Sequence, residues 1–188
     1  LGANFARALI KKGNTVHVWN RTPERAKALA ADGAVAFDSA AEAVRGASRV
    51  HVMVSDDAAV DGVLAKAKLP EGALVIDHTT TSTAGARERT AREDIVYVHA
   101  PVFMGPQNAL ESTGLMLVSG DRGRVERVAP LLRPMTGKLV DLGERVAAAA
   151  AFKLMGNTFL MGFTAAIADL IGLGKALGFA PAEAITLF

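Results

Sequence analysis

Arg49-Val-His-Val-Met-Val54 is a short, largely apolar run that predicts a buried β-strand, and residues 57–66 behind it have helical spacing. A second apolar run, Ala73-Leu-Val-Ile76, follows that helix. Two buried strands joined by a helix of about ten residues are typical of a parallel sheet, because parallel neighbours need a crossover connection. The middle of the chain therefore predicts an α/β fold.

The same alternation extends over the first two-thirds of the chain. Further strands are predicted at 15–19, 35–37, 95–98, 115–119 and 138–140, and further helices at 3–12, 23–32, 40–44, 82–92 and 122–132. This order predicts a mostly parallel sheet with helices on both faces.

The pattern changes after Glu144. Residues 147–177 have no strand signal, the chain turns at Gly178, and another helix starts at Pro181. We therefore predict an α/β domain over residues 1–144. Residues 145–188 would form a long helix that leads into an all-helical region, which this chain cuts short.

Composition excludes several classes of protein. The 188 residues carry a net charge of +2 with basic and acidic residues interspersed, which argues against nucleic-acid binding. There is no cysteine, and the four histidines show no metal-ligand spacing, so we expect no disulfide scaffold and no metal site.

The sequence also bears on membrane association and location. The longest uncharged apolar stretch, Leu154 to Ala168, is shorter than the roughly 20 residues of a membrane span. We expect a buried core helix there, and no membrane association. The opening at Leu1-Gly2 has no charged segment before an apolar run, which indicates a fragment rather than a secreted precursor and favours a cytoplasmic protein.

A lysine and an asparagine stand one helical turn apart within the apolar region, in Lys153-Leu-Met-Gly-Asn157. Both side chains would project from the same face of a helix. A cation and an amide are costly to bury together unless they serve each other or a ligand. The pair therefore predicts a site that holds and protonates an oxygen of a small molecule. The alternative is that Lys153 reaches solvent along its aliphatic stem.

Polar residues at predicted strand ends indicate where a nucleotide would bind. Asn20, Arg21 and Thr22, with Arg25 one turn on, follow the strand at 15–19, where a dinucleotide fold meets the adenosine ribose. A guanidinium beside a hydroxyl suits a 2′-phosphate and favours NADP(H) over NAD(H), although a solvated loop arginine is the alternative.

Four further residues fit the same edge. Gly2 would be the last glycine of a dinucleotide fingerprint, or else an ordinary turn glycine. Val54 and Ser55 end one predicted strand, and Thr80 follows another, at the sheet edge where open α/β folds bind ligands.

With these residues in order, the chain resembles the β-hydroxyacid dehydrogenase family over essentially its whole length. That family includes 3-hydroxyisobutyrate dehydrogenases and glyoxylate or tartronate semialdehyde reductases, and its nucleotide-binding half is like that of 6-phosphogluconate dehydrogenase. The matching motifs are Leu1-Gly2 for the end of the glycine loop, Asn20-Arg21-Thr22 for the NADP-preferring branch, Asp77-His-Thr-Thr80 for Asp-x-Ser-Thr, and Lys153-Leu-Met-Gly-Asn157 for the catalytic Lys-x-x-x-Asn helix.

The resemblance implies a Rossmann-type doubly wound domain that lacks its first strand here, followed by a truncated helical domain for substrate binding and dimerisation. It implies a small β-hydroxyacid or semialdehyde as the substrate, and a homodimer or tetramer through the C-terminal helices. Lys153 would be the general acid or base and Asn157 would orient the substrate oxygen. Asp169 falls where the family usually has a substrate-binding glutamate.

The substrate loop departs from the family pattern. The family reads Ala-Pro-Val-Ser-Gly-Gly, with serine and glycine groups holding the substrate carboxylate, whereas this chain reads Ala100-Pro-Val-Phe-Met-Gly105. The matching substrate-binding positions are Val102, Phe103, Met104 and Gly105. Either a larger, less polar substrate binds here, or Phe103 packs inward and Gln107 or Asn108 supplies the missing hydrogen bonds.

Two other functions stay open. An imine reductase shares this architecture and would suit an apolar loop, but those enzymes usually carry Asp or Tyr at the position of Lys153. A binding module that kept cofactor affinity and lost turnover is the third interpretation.

Overall fold

The computed structural model describes residues 1–186, whose strands form three short sheets. β1 (His17–Val18) pairs with β2 (Val35–Ala36), and β3 (Val50–Val52), β4 (Ala73–Asp77) and β5 (Ile95–His99) follow in that order; both sheets are parallel. In the third sheet, β6 (Val102–Phe103) is antiparallel to β7 (Leu115–Val118), which is parallel to β8 (Lys138–Asp141). The predicted mostly parallel α/β fold is confirmed.

Helices separate the strands. They are α1 (Gly2–Lys11), α2 (Pro23–Lys27), α3 (Ala40–Ala43), α4 (Asp57–Ala67), α5 (Thr83–Thr90), α6 (Pro106–Glu111), α7 (Arg122–Leu132), α8 (Ala148–Ala176) and α9 (Pro181–Ile185). Short polar side chains start four of them: Ser39, Asp56, Ser82 and Asp121 each accept a hydrogen bond from a backbone N–H in the first turn.

The structure differs from the sequence expectations at several elements. Strand β1 covers two residues of the predicted 15–19, and in the described chain it pairs with β2 alone. The predicted helix 23–32 tightens to a 3-10 helix over Ala28–Asp32. Strand β6 and helix α6 were not predicted at all, because Pro101 and Pro106 give this segment the composition of a loop.

The central strand β4 is buried on both faces. Leu74 and Ile76 belong to the main core together with residues of α1 and α7, whereas Val75 belongs to a second core beneath α4. A strand covered on both sides reads as a continuous apolar run instead of an alternating one. This explains why Ala73 to Ile76 was recognisable in the sequence.

Helix α8 begins against the α/β domain. The Ala149 N–H donates to Ser119 Oγ over 2.9 Å, and Ala147, in the left-handed region at φ 62°, turns the chain into the helix. Ala147 and Ala150 pack against Ala86 of α5, so three methyl side chains allow the two helices to approach closely. The alanine run before Lys153 is therefore the contact that places the start of α8.

The chain divides into two compact units, Leu1–Lys153 and a second that begins at Leu154. This division lies within α8, whereas the predicted domain boundary lies near residues 143–146. The assignment of a cofactor domain over 1–144 and a helical domain over 145–188 stays a prediction.

The expectation of a buried core helix at Leu154 to Ala168 is wrong for this chain. Phe159 is 70% exposed, Met161 67% and Phe163 57%. The helix as a whole is also long and apolar enough to cross a membrane by length and composition, since its 29 residues extend well beyond the uncharged run. The sequence pattern identified an apolar surface correctly but could not say what covers it.

Gly114 lies close against the loop at residues 103–105. Its φ is +83°, and a Cβ there would lie 2.9 Å from Met104 Cγ and 3.1 Å from the Phe103 carbonyl oxygen. Gly46 has a similar φ of +71° with nothing within 4 Å.

We therefore expect Gly114→Ala to destabilise the protein more than Gly46→Ala. Each substitution carries the left-handed strain of about 1 kcal/mol, and the contact with the loop adds about 1–3 kcal/mol at Gly114 alone. Urea unfolding of the two variants measures the difference. Equal losses of stability would show that the loop is not held by this contact.

Candidate active site

Lys153 lies over an aromatic ring at the start of α8. Its Nζ is 3.9 Å from the centroid of the Phe103 ring, within the range of a cation–π interaction. Burial lowers the pKa of Lys153 below its ordinary value. The lysine predicted to be catalytic and the phenylalanine predicted to line the substrate loop therefore contact each other. Lys153 does not extend freely into solvent.

The direction of Phe103 follows from strand β6. Successive side chains of a strand point to opposite faces, and Val102 is buried in the main core, so Phe103 faces away from it. Phe103 thus does not pack into the core. Met104 packs against the core instead, beside Gly114.

The polar groups after Phe103 bond to their own segment. The Gly105 N–H donates to Asn108 Oδ1 over 2.9 Å, and Asn108 Nδ2 donates to Thr113 Oγ1 over 3.0 Å. Gln107 donates to Glu111 one turn along α6. Asn108 and Gln107 are the two side chains that were expected to replace the family's serine. Each donates a hydrogen bond within residues 105–113.

A buried carboxylate holds the end of the central strand. Asp77 is fully buried; its Oδ2 accepts from the Tyr97 hydroxyl over 2.6 Å and its Oδ1 from the Thr79 N–H over 2.8 Å. Burial and the neighbouring carboxylate raise the pKa of Tyr97 far above its usual value, so Tyr97 stays protonated and donates. Thr79 Oγ1 in turn accepts from the Val54 N–H over 3.1 Å, which joins the ends of β3 and β4.

A directed chain of hydrogen bonds runs beneath the substrate loop. Arg49 Nε donates to His51 Nε2 over 3.0 Å, His51 Nδ1 lies 2.9 Å from His78 Nε2, and His78 Nδ1 lies 2.8 Å from the Ala100 carbonyl oxygen. Since arginine can only donate, these partners assign each histidine a proton on Nδ1 and a neutral ring. Burial lowers the pKa of His78, and burial with the charges of His78 and Arg49 lowers that of His51.

The residues predicted to meet the adenosine ribose lie after β1. Asn20 Oδ1 accepts from the Thr22 N–H over 2.9 Å, which shapes the turn before α2, and Thr22 occupies the N-cap position without a side-chain cap bond. Arg21 and Arg25 are both exposed. Their guanidinium groups are thus accessible to an anionic ligand.

The remaining predicted cofactor residues lie near other strand ends. Gly2 begins α1, whose first turn contains no acidic residue, and its Cα faces Met53 after β3 closely enough that a Cβ would lie 3.5 Å away. An N-terminal helix turn without acidic side chains fits a pyrophosphate. Ser55 is exposed, whereas Val54 and Thr80 are half-buried.

Two predicted site residues lie farther along α8. Asn157 is one turn beyond Lys153 in the same continuous helix. Asp169 lies farther along the same helix and is exposed. Among residues 1–186 no cluster of three or more potential metal ligands occurs.

Sequence reasoning missed the hydrogen-bonded set of Asp77, Tyr97, His51 and His78. Their signal was present as polar side chains inside or directly after apolar strand runs, which need buried partners. The pairing could not be read from the sequence, because the partners lie on three different strands.

These features define a dinucleotide-binding α/β domain with a lysine at the start of the helix that follows it. The profile of the family described as the NAD binding domain of 6-phosphogluconate dehydrogenase matches residues 1–143. The chain belongs to this family, and the resemblance to the β-hydroxyacid dehydrogenases is confirmed.

Individual relatives agree with this assignment. A probable 3-hydroxyisobutyrate dehydrogenase of Mycobacterium tuberculosis is 34% identical over 185 residues, covering 95% of this chain and 62% of that protein. The solved structure of the M. tuberculosis 3-hydroxyisobutyrate dehydrogenase with L-serine has a TM-score of 0.84 at 32% identity, covering 95% of this chain and 63% of the other. The chain thus spans about three-fifths of the length of these relatives, 62% and 63%.

Both nicotinamide cofactors occur among the relatives. An NAD-dependent L-serine dehydrogenase of Pseudomonas aeruginosa is 30% identical and covers 95% of this chain and 62% of that protein. An imine reductase from Myxococcus stipitatus in complex with NADP+ has a TM-score of 0.85 at 25% identity, covering 99% of this chain and 66% of the other. NAD(P) binding follows from the family, without a preference between the two.

The buried histidines predict how stability depends on pH. The folded-state pKa of His51 lies below that of a histidine in the unfolded chain, about 6.5, so the unfolded protein binds more protons below that pH. We expect the free energy of unfolding to fall as the pH is lowered from about 7 to about 5. His51→Gln should flatten this fall by up to about 1.4 kcal/mol per pH unit.

Urea unfolding at several pH values measures the effect. His17→Gln is the matched control, because His17 lies on β1 outside this chain of hydrogen bonds. A slope for His51→Gln equal to that of the unsubstituted protein would contradict the neutral assignment.

Proposed function

We propose that this chain is the cofactor-binding part of an NAD(P)-dependent oxidoreductase that interconverts a carbonyl and a hydroxyl group of a small molecule. The observation that carries the proposal is the position of Lys153, half-buried at the start of α8 with a lowered pKa and its Nζ over the Phe103 ring. The family membership supports it. A lysine whose pKa is lowered releases its proton more readily, which suits general acid–base chemistry.

In this mechanism, the nicotinamide supplies or accepts the hydride when it is bound. During reduction Lys153 donates its proton to the carbonyl oxygen as the carbon gains the hydride, and a hydroxyl group results. During oxidation the neutral lysine takes the hydroxyl proton. Asn157, on the same helix face by its spacing, orients the substrate oxygen.

For the cofactor, we propose that NADP(H) binds in preference to NAD(H). The support comes from the exposed Arg21 and Arg25 and from Thr22 in the turn after β1. Gly2 at the start of α1 would receive the pyrophosphate, and Val54, Ser55 and Thr80 would line the ribose and nicotinamide edge.

For the domains, residues 1–144 would form the cofactor domain and residues 145–188 the start of the helical domain. Strands β1 and β3 share no sheet in the described chain, and a strand N-terminal to α1 would pair with both. The exposed apolar side chains of α8 need a protein cover, so we expect a homodimer or tetramer through the C-terminal helices in a cytoplasmic enzyme.

The same contact bears on the two alternative functions, in favour of one and against the other. The aromatic neighbour of Lys153 suits an imine reductase with an apolar pocket, and solved imine reductases share the fold. A silent NADP-binding module would need no placed lysine, so the contact of Lys153 with Phe103 argues against it.

The activity is tested by NADPH oxidation with a panel of small semialdehydes, 2-oxo acids and cyclic imines, on the protein in its full natural length. We expect Lys153→Ala to lower kcat about 100- to 10,000-fold, because it removes the proton donor. Lys175→Ala, at the far end of α8, should keep full activity. Turnover of imines alone, or equal activity in both variants, would contradict the dehydrogenase mechanism.

The cofactor preference is tested by Arg21→Ala. Loss of a charge-assisted hydrogen bond to the 2′-phosphate should raise the KM for NADPH about 10- to 100-fold and leave the KM for NADH unchanged. Arg45→Ala is the control, since Arg45 is equally exposed and lies after α3. An equal rise of the KM values for NADPH and NADH would show that Arg21 does not bind the 2′-phosphate.

A further inference from the structure

We infer that the substrate of this site carries an uncharged, apolar substituent beside its reactive carbon, and that Phe103 selects it. This inference rests on the proposed function, because it requires Lys153 to act on the substrate oxygen. It adds the substrate class and the residue that determines it.

The first support is the aromatic side chain that lies against the lysine. Phe103 points away from the core because Val102 points into it, and its ring lies under Lys153 Nζ at 3.9 Å. A substrate whose oxygen meets Lys153 therefore places its neighbouring group against an aromatic side chain. Aromatic surface stabilises apolar groups and disfavours an anion, since the ring face is itself electron-rich.

The second support is the use of nearby hydrogen-bond donors. A buried carboxylate needs several donors, and an uncompensated one is strongly disfavoured. The Gly105 N–H and the Asn108 amide bond to their own segment, and Gln107 bonds to Glu111. The Gly105 N–H would have to break its bond before it could hold a carboxylate, and each of the two side-chain amides already has one N–H bonded within the segment.

The third support is that the arrangement is fixed by packing. Met104 packs against the main core and lies close to Gly114, which holds the loop from that side. Phe103 pairs with Leu115 of the antiparallel strand β7, and this pairing fixes the backbone position of Phe103. The aromatic side chain is therefore a rigid part of the site.

The experiment compares two four-carbon aldehydes on the full-length protein with NADPH: butanal, which ends in a methyl group, and succinic semialdehyde, which ends in a carboxylate. We expect kcat/KM for butanal to exceed that for succinic semialdehyde about 10- to 100-fold. Phe103→Ser should move this ratio at least about tenfold toward succinic semialdehyde, because it introduces a hydroxyl donor and removes the ring. Phe103→Leu, which stays apolar, should keep the preference for butanal.

The outcomes separate the two proposals. Turnover with a preference for succinic semialdehyde, or a ratio that is equal in all three proteins, overturns the inference and leaves the oxidoreductase function intact. Without turnover of either aldehyde, calorimetric binding of butyramide and succinamate to the NADP+ complex still decides the inference. Tighter binding of butyramide supports the apolar selection, and tighter binding of succinamate overturns it.

Discussion

The buried carboxylate of Asp77 is the constraint on which the rest of the site depends. A carboxylate without solvent contact must receive hydrogen bonds from the protein, and here they come from Tyr97 on β5 and from the backbone of Thr79. Their geometry fixes where β4 ends and how the chain leaves it. The Ala100 N–H also donates to the Asp77 carbonyl oxygen over 2.7 Å, so the substrate loop begins at the same point.

The positions of the other site residues follow from the end of β4, one after another along the chain. The bond from Val54 to Thr79 brings the end of β3 to the same edge. The loop that starts at Ala100 continues into β6, whose alternation places Phe103 on the outer face. Strand β7, paired with β6, carries the chain to Ser119, which binds the start of α8 and so places Lys153.

Much of this fold was predictable because burial on both sheet faces leaves a strong signal. Strand β4 and helix α7 were found with nearly their observed bounds, since both contain long apolar runs or clear helical spacing. Strands β1 and β6 were harder to predict from the sequence. Each shows only two residues of ladder, and the length of a ladder depends on partners distant in the sequence.

The candidate site also contains features that the sequence indicated and features that it did not. Lys153 stood out in the sequence because an ionisable residue in an apolar run is costly unless it is used, and its role stays a prediction. The hydrogen bonds of Asn108 and Gln107 were not predictable, because the sequence pattern of an amide side chain is the same whether it faces a ligand or its own helix. The expected burial of α8 was wrong for a related reason: an apolar helix face indicates that a cover is needed without identifying it.

Phe103 acts on Lys153 in two opposite ways, and their balance matters for the proposed chemistry. The ring face stabilises the ammonium form, which would raise the pKa, while the ring also keeps water away, which lowers it. Burial lowers the pKa of Lys153. A hydroxyl at this position would attract water and remove both effects. We propose that the same aromatic side chain disfavours a carboxylate and keeps water from the lysine, so that substrate selection and acid–base chemistry would share one physical cause.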